Sequence, residues 1–174
     1  FPATLVGRPP MEDAYLGLAT ERIFLPLLRL VIPEVVDMHL PAAGAFHNLA
    51  ILAIRKEYPG QAQKVMHAVW GLGQMMFTKA VVVVDADIDP HDLTEVLFRV
   101  TSNVDPKRDL VLTEGPLDAL DHAADRFAFG SKVGIDATRK SRRLDGFPRE
   151  WPGDLAFPEA LLEQVTDRWE AYGL

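Results

Sequence analysis

The sequence predicts an α/β fold: a mixed β-sheet of about five strands flanked by helices, with a protruding C-terminal helix. Three observations carry this expectation. The run Ala80-Val81-Val82-Val83-Val84 is continuous and β-branched, a composition suited to a strand covered on both faces at a sheet centre. From residue 46 onward, short apolar runs alternate with segments of helical periodicity. The first and last helical patterns lie outside that alternation, which makes them candidates for reaching another domain or subunit.

The elements follow in order. Pro9 and Pro10 with Glu12 and Asp13 mark a helix start, because proline fits the first turn and carboxylates there complement the dipole. Leu16, Ala19, Ile23, Leu27 and Leu30 give that helix an apolar stripe, and Pro26 is expected to kink or end it. Val36, Met38 and Leu40 alternate with Asp37 and His39, a half-buried strand; a loop over residues 42–45 then leads to a strand over residues 46–55. After Pro59-Gly60, Ala62, Val65 and Val69 line one side of a second helix. Beyond the valine strand, Asp89 is expected to cap a helix with Pro90 at its first position and a stripe of Leu93, Val96, Leu97, Val100 and Val104. Leu110-Val111-Leu112 is a short strand, and Val133, Ile135 and Ala137 alternate in the last one. Residues 139–157 form an irregular charged arm. Pro158 then opens a terminal helix striped by Leu161, Val165, Trp169 and Tyr172.

Composition excludes several classes of function. A net charge of −7 argues against an electrostatic grip on nucleic acid, which depends on a basic face. No apolar run approaches the roughly 18 residues of a membrane span; residues 23–32 are interrupted by Pro26 and Arg29. The absence of cysteine excludes disulfides, thiolate metal sites and cysteine nucleophiles, and agrees with a cytoplasmic protein. The chain opens at Phe1, already within the apolar pattern Thr4-Leu5-Val6, as a piece of something larger would.

The candidate chemistry is sparse. The acidic run Asp85-Ala86-Asp87-Ile88-Asp89 invites a divalent metal, but the calcium-loop positions for Gly and Glu hold Pro90 and Val96, so a capped strand-to-helix loop is the favoured reading. The five histidines form no zinc-type spacing; His39 and His47 could meet across a hairpin, and ordinary hydrogen-bonded histidines are the alternative. Gly130-Ser131-Lys132 lacks the upstream glycine of a phosphate loop, and Gly71-Leu72-Gly73 reads as a helix end. Arg139, Lys140, Arg142 and Arg143 read as a solvated basic loop, with a phosphate or an acidic neighbouring subunit as the alternative. Lys79, directly before the buried strand, is either a snorkelling lysine or a ligand contact. No self-contained catalytic constellation emerges.

Read as whole phrases, the chain resembles the UbiD family of decarboxylases. The phrases are Thr4-Leu5-Val6-Gly7-Arg8-Pro9-Pro10-Met11-Glu12, Phe46-His47-Asn48-Leu49-Ala50, Tyr58-Pro59-Gly60 and Trp70-Gly71-Leu72-Gly73-Gln74-Met75-Met76-Phe77-Thr78-Lys79. They continue through the acidic run with Glu95-Val96, Asp105-Pro106-Lys107-Arg108-Asp109, Leu117-Asp118-Ala119-Leu120-Asp121, Gly130-Ser131-Lys132-Val133-Gly134-Ile135-Asp136-Ala137-Thr138 and Arg149-Glu150-Trp151-Pro152. Their order and spacing span nearly the whole chain.

The resemblance implies non-oxidative decarboxylation of an aromatic or α,β-unsaturated acid, for example polyprenyl-4-hydroxybenzoate in quinone biosynthesis, with prenylated FMN as cofactor. It implies Mn2+ and K+ at the cofactor phosphate, and a glutamate–arginine–glutamate trio in a preceding domain, so that no catalytic residue lies in this chain and the chain alone is inactive. Lys79 matches the family lysine that contacts the flavin phosphate, a task suited to a point charge. Arg8, Phe127 and Phe129 match stretches near the substrate pocket, although Ala124-Asp125-Arg126-Phe127-Ala128-Phe129 departs from the usual small-residue loop. The implied organisation is a linker segment and helix over 1–33, a C-terminal domain of UbiD type over 34–140, and an arm with an oligomerisation helix over 141–174. A homo-oligomer, dimer or hexamer, is implied through that helix, in a cytoplasmic protein with room for peripheral contact with a membrane. The alternative is a non-catalytic oligomerisation or binding module of the same fold.

Overall fold

The computed structural model describes residues 11–45 and 48–173. The expectations for Thr4-Leu5-Val6, Arg8, Phe46 and His47 lie outside the described residues.

Helix α1 (Met11–Val31) leads into strand β1 (Val35–His39), a 3-10 turn over Ala42–Gly44, and β2 (Leu49–Ile54). Helix α2 (Gln61–Trp70) and a 3-10 turn over Gly73–Phe77 precede β3 (Ala80–Asp85). Next come α3 (Leu93–Asn103), the single-turn α4 (Pro106–Asp109), β4 (Leu110–Pro116) and β5 (Phe129–Asp136). Short α5 (Arg142–Asp145), α6 (Glu159–Asp167) and a final 3-10 turn over Trp169–Tyr172 complete the chain. The five strands form one mixed sheet in the order β1-β2-β3-β5-β4, with β2, β3 and β5 parallel and the two outer strands antiparallel to their neighbours.

The valine run sits at the centre, as its composition requires. Val81 and Val83 face a core built with Leu52, Val65, Met66 and Val69, whereas Val82 and Val84 face the opposite core of Ile51, Ala53, Ile88 and Val96. Alternate side chains of a strand leave opposite faces, so both layers must be apolar, and they are. Gly134 of β5 is needed for close approach: a Cβ there would stand 2.4 Å from the Met66 sulfur.

Three local expectations are corrected. First, of the two outcomes expected at Pro26, ending α1 does not occur, since the helix runs on to Val31. Proline removes one N–H and crowds the preceding turn, but burial of Leu28 and of Ile32 just beyond the helix offsets that cost. The buried face of α1 is Gly17, Glu21 and Leu28. The apolar stripe of Leu16, Ile23, Leu27 and Leu30 points to solvent instead.

Second, α3 is capped by Asp92, not Asp89: its Oδ1 accepts the N–H groups of Thr94 and Glu95 at 3.0 and 3.1 Å. Asp89 accepts the His91 N–H, and Pro90 stays outside the helix. A carboxylate one residue before the first turn reaches two free donors there, and Asp89 is too early to do so. The predicted stripe of α3 is only partly covered, with Val96 buried and Leu93 and Leu97 exposed.

Third, the basic cluster at the start of the arm is not simply solvated. Lys140 is 2% exposed and donates to the Asp136 and Thr138 carbonyls. Arg139 donates to both oxygens of Asp87 and to Asp154. Arg99 of α3 holds the other side of Asp154, and these two guanidinium groups, Arg99 first, push its carboxyl down to about 2. Charge pairs thus latch the arm onto α3 and the loop that follows β3. Beyond it, Leu161, Trp169 and Tyr172 of the terminal helical segment stand exposed, in keeping with a protruding element.

Candidate functional site

The amino ends of the three parallel strands bring the informative residues together. Asn48 directly precedes β2 and Lys79 directly precedes β3; the Ala80 N–H donates to the Asn48 carbonyl at 2.8 Å. On the other side the Val133 N–H donates to the Lys79 carbonyl at 2.9 Å, which sets Lys132 of β5 beside Lys79. Parallel pairing in register therefore lines up Asn48, Lys79 and Lys132 along one edge.

Lys79 projects from this edge with its side chain 34% exposed and donates to Asp121 Oδ2 at 2.7 Å and Oδ1 at 3.1 Å. Asp121 lies on the loop joining β4 to β5 and its side chain is 4% exposed. Burial raises the Asp121 carboxyl, but the Lys79 ammonium and the Ala123 N–H outweigh it and hold it below the usual range. An ammonium carries three donors, so pairing with one carboxylate leaves capacity for another anionic acceptor.

Next to Lys79, the Thr78 hydroxyl is buried with no hydrogen-bond partner, as is the Asn48 side-chain oxygen. Buried polar atoms are normally satisfied, so two orphans at one strand edge mark a place where a further partner belongs. A pocket of about 260 Å³, lined by Thr20, Leu40, Met75, Phe77, Thr78 and Asp118, meets this edge at Thr78.

Lys132, 3% exposed, donates instead to the Met76 and Thr78 carbonyls at 2.6 and 2.8 Å. It holds the turn before Lys79 in place through these two carbonyls. Burial lowers its pKa from 10.5 to about 8. Between those values the unfolded chain binds more protons than the folded one, so this group's contribution makes stability rise with pH. Relative to Lys132→Met, wild type is expected to gain stability from pH 8 to 10.5 in urea unfolding; a difference that stays flat across that window contradicts the assignment.

The other expected pocket residues are less convergent. Phe127 lies on the loop that carries Asp121 and is 83% exposed. Phe129 opens β5, opposite Pro116, with the Arg126 guanidinium 5.5 Å from its ring centre. Arg8 is outside the described residues. The acidic run is mostly structural: Asp85 accepts the Arg139 N–H, its carboxyl raised by burial, and Asp87 pairs with the Arg139 side chain. The sequence assigned no role to Asn48, Thr78 or Asp121; for Asn48 and Thr78 the available signal is a polar residue beside a buried strand, and Asp121, within the β4–β5 loop, offers none.

The family model for the 3-octaprenyl-4-hydroxybenzoate carboxy-lyase C-terminal domain matches residues 14–137. The chain belongs to this UbiD family. A protein of Archaeoglobus fulgidus is 59% identical to it over 97% of the chain and 35% of its own length. The UbiD-type chain therefore spans about a third of the curated relatives it matches. Among solved structures, the UbiD-class enzyme HmfF from Pelotomaculum thermopropionicum in complex with FMN is 28% identical, with a TM-score of 0.73 over 87% of this chain and 33% of that one. An evolved dimeric form of HmfF in complex with prenylated FMN is 26% identical, with a TM-score of 0.62 over 87% of this chain and 30% of that one. Vanillic acid decarboxylase (ShVdcCD) of Sedimentibacter hydroxybenzoicus, in open form with truncated ShVdcD, is 26% identical, with a TM-score of 0.77 over 90% of this chain and 33% of that one. No helix among the described residues of this UbiD domain is long and apolar enough to cross a membrane.

Proposed function

We propose that this UbiD domain serves a prenylated-FMN-dependent, non-oxidative decarboxylase, and that Lys79 binds the phosphate of the flavin. The observation behind this reading is the partly exposed Lys79 ammonium beside the unpartnered, buried Thr78 hydroxyl at the edge of the parallel strands. A compact cation with spare donors, next to a hydroxyl free to donate, is suited to phosphate oxygens. Lys132 keeps that edge rigid by holding the Met76 and Thr78 carbonyls. When bound, the modified flavin supplies the electron sink for loss of carbon dioxide. This chain's residues contribute binding and orientation.

Mn2+ and K+ belong to the same reading as ions held near the phosphate by residues outside this chain. Neither of the metal-capable clusters among the described residues includes Asn48, Thr78, Lys79 or Lys132. The acid–base groups are likewise assigned to the remainder of the protein, so residues 1–174 alone are expected to be inactive. Phe127, exposed on the Asp121 loop, is assigned to the substrate side, with Arg8 and Phe129 as lesser candidates. The substrate class is an aromatic or α,β-unsaturated carboxylic acid, with polyprenyl-4-hydroxybenzoate as one member.

Residues 1–33 are proposed to join the flavin-binding part, 34–140 to form the domain proper and 141–174 to bridge subunits of a dimer or hexamer. The outward stripe of α1 and the exposed Trp169 and Tyr172 support this division, because apolar faces of that kind normally find cover. A cytoplasmic location, with peripheral membrane contact for a lipid-like substrate, completes the reading.

A second reading, a non-catalytic binding or oligomerisation module, is favoured by one observation: Asp121 already neutralises Lys79. Carbon dioxide release from a panel of aromatic and acrylic acids separates the two. The protein in its full natural length, supplied with prenylated FMN, is expected to decarboxylate at least one. Flavin retention without turnover on any acid supports the second reading.

A further inference from the structure

Where α1, β1 and the β3–α3 connection meet, five potential metal ligands gather that the flavin reading does not use. Asp37 and His39 stand two residues apart on β1 and so share one face of the sheet. His91 comes from the connection after β3, and its ring lies 4.4 Å from that of His39, centre to centre. The His91 Nε2 is 3.6 Å from Asp37 Oδ2. Asp89 accepts the backbone N–H of His91 at 2.9 Å, which ties the two ends of that short turn together. On the far side, buried Glu21 of α1 accepts from His39 Nδ1 at 2.8 Å and also from the Leu40 N–H.

Two overlapping sets result, Glu21–His39–His91 and Asp37–Asp89–His91, and the ligand atoms within each lie within 4.8 Å of one another. Ligands at the ~2.1 Å bond lengths of zinc stand roughly 3.5 Å apart; His91 is common to both sets, and an ion shared by Asp37, Asp89 and His39 requires the exposed His91 and Asp89 side chains to rotate toward His39. We propose that this corner binds one divalent transition-metal ion, with His91 as the common ligand, Asp37 and Asp89 as carboxylate ligands and His39 as the second imidazole.

The arrangement has the form of a supported metal site. A histidine ligand commonly donates its second nitrogen to a carboxylate, which fixes the ring and its tautomer. Glu21 does this for His39: with Nδ1–H engaged, the lone pair resides on Nε2. Glu21 is itself held by the Leu40 N–H, so the support is anchored in the core layer of the helix. Two imidazoles select against magnesium and calcium, which prefer all-oxygen shells, and two imidazoles with carboxylates suit zinc first.

Zinc itself is the probe. The protein in its full natural length is dialysed against buffered free zinc, and bound metal per chain is measured for wild type, His91→Ala and Asp37→Asn. Ions bound elsewhere cancel in the comparison. Wild type is expected to hold one zinc per chain more than His91→Ala at the same free concentration. Asp37→Asn is expected to weaken that site more than tenfold, and Glu21→Gln by about ten- to hundredfold through loss of ring positioning. Cobalt is expected to give visible absorption bands in wild type that His91→Ala lacks. His91 is 42% exposed at its side chain, so its removal leaves the fold intact; an unchanged circular dichroism spectrum verifies this, and Asp37→Asn repeats the test without removing a ring. Equal zinc content and affinity in wild type, His91→Ala and Asp37→Asn would overturn the proposal.

Discussion

Lys79→Ala in the full-length protein is expected to strip the flavin during gel filtration while the fold persists. A hydrogen bond to a charged partner contributes about 1.5–3 kcal/mol, so the cofactor is expected to bind about ten- to hundredfold more weakly. Lys79 is a good target because its removal costs the fold little. It lies at a strand end, where its side chain donates to one carboxylate and its backbone carbonyl accepts from β5. Asp121 would lose its cation, but it still accepts the Ala123 N–H. Lys79→Arg keeps the charge and loses the compact shape, so partial retention is the expected result for that variant. Full flavin occupancy in Lys79→Ala, read from absorbance after the column, would remove Lys79 from the phosphate site.

The largest effect on stability is expected at Asp109. Its carboxylate is 4% exposed and accepts from Arg108 Nε and Nη2 and from the Asp105 N–H, with the Lys140 ammonium 3.5 Å away. Burial raises this carboxyl, but Arg108, the Asp105 N–H and Lys140 together bring it below its ordinary value. Asp109→Ala leaves the buried Lys140 with Asp136 as its remaining carboxylate, at 3.2 Å. Removing one member of a buried charge cluster typically costs 3–5 kcal/mol, and the surviving Asp136 places the expectation near the lower end, about 3 kcal/mol.

The pH dependence has a defined sign. A carboxyl lowered on folding stabilises the native state above its unfolded value of 3.8, and that contribution disappears as pH falls through the lower native value. The gap between wild type and Asp109→Ala in urea unfolding is therefore expected to hold from pH 7 to 5 and to narrow below about 4. A loss under 1 kcal/mol at neutral pH would contradict the account.

The parts of this architecture that local sequence reveals are those set by neighbours in the chain. Val81 to Val84 announce a strand buried on both faces, and Ala62, Val65 and Val69 announce the helix that covers one of them. Hairpin and helix follow from spacing alone. The partner of Lys79 does not, because Asp121 is 42 residues away and only the β4–β5 loop brings it across. Nor does the role of Lys132 follow from its phrase, which lacks the upstream glycine of a phosphate loop: Lys132 holds two carbonyl oxygens 54 and 56 residues earlier, and that depends on the parallel pairing of β3 and β5.

The stripe of α1 is the instructive miss. Helical spacing correctly identified a helix, but spacing cannot say which neighbour an apolar face meets. The sheet takes Gly17, Glu21 and Leu28, and the more hydrophobic face is left outward. Likewise, Asp89 and Asp92 are both sound caps by composition. The choice fell to Asp92 because Pro90 and the half-turn at His91 delay the helix to Leu93.

On this reading the domain lends a cation to cofactor chemistry whose acid and base groups lie elsewhere. The distance from Lys79 Nζ to the flavin phosphate, in a structure of the full-length protein bound to prenylated FMN, tests it most directly. The account predicts a phosphate oxygen at about 2.8 Å. A phosphate held entirely by other residues, with Lys79 still bound to Asp121 alone, would contradict it.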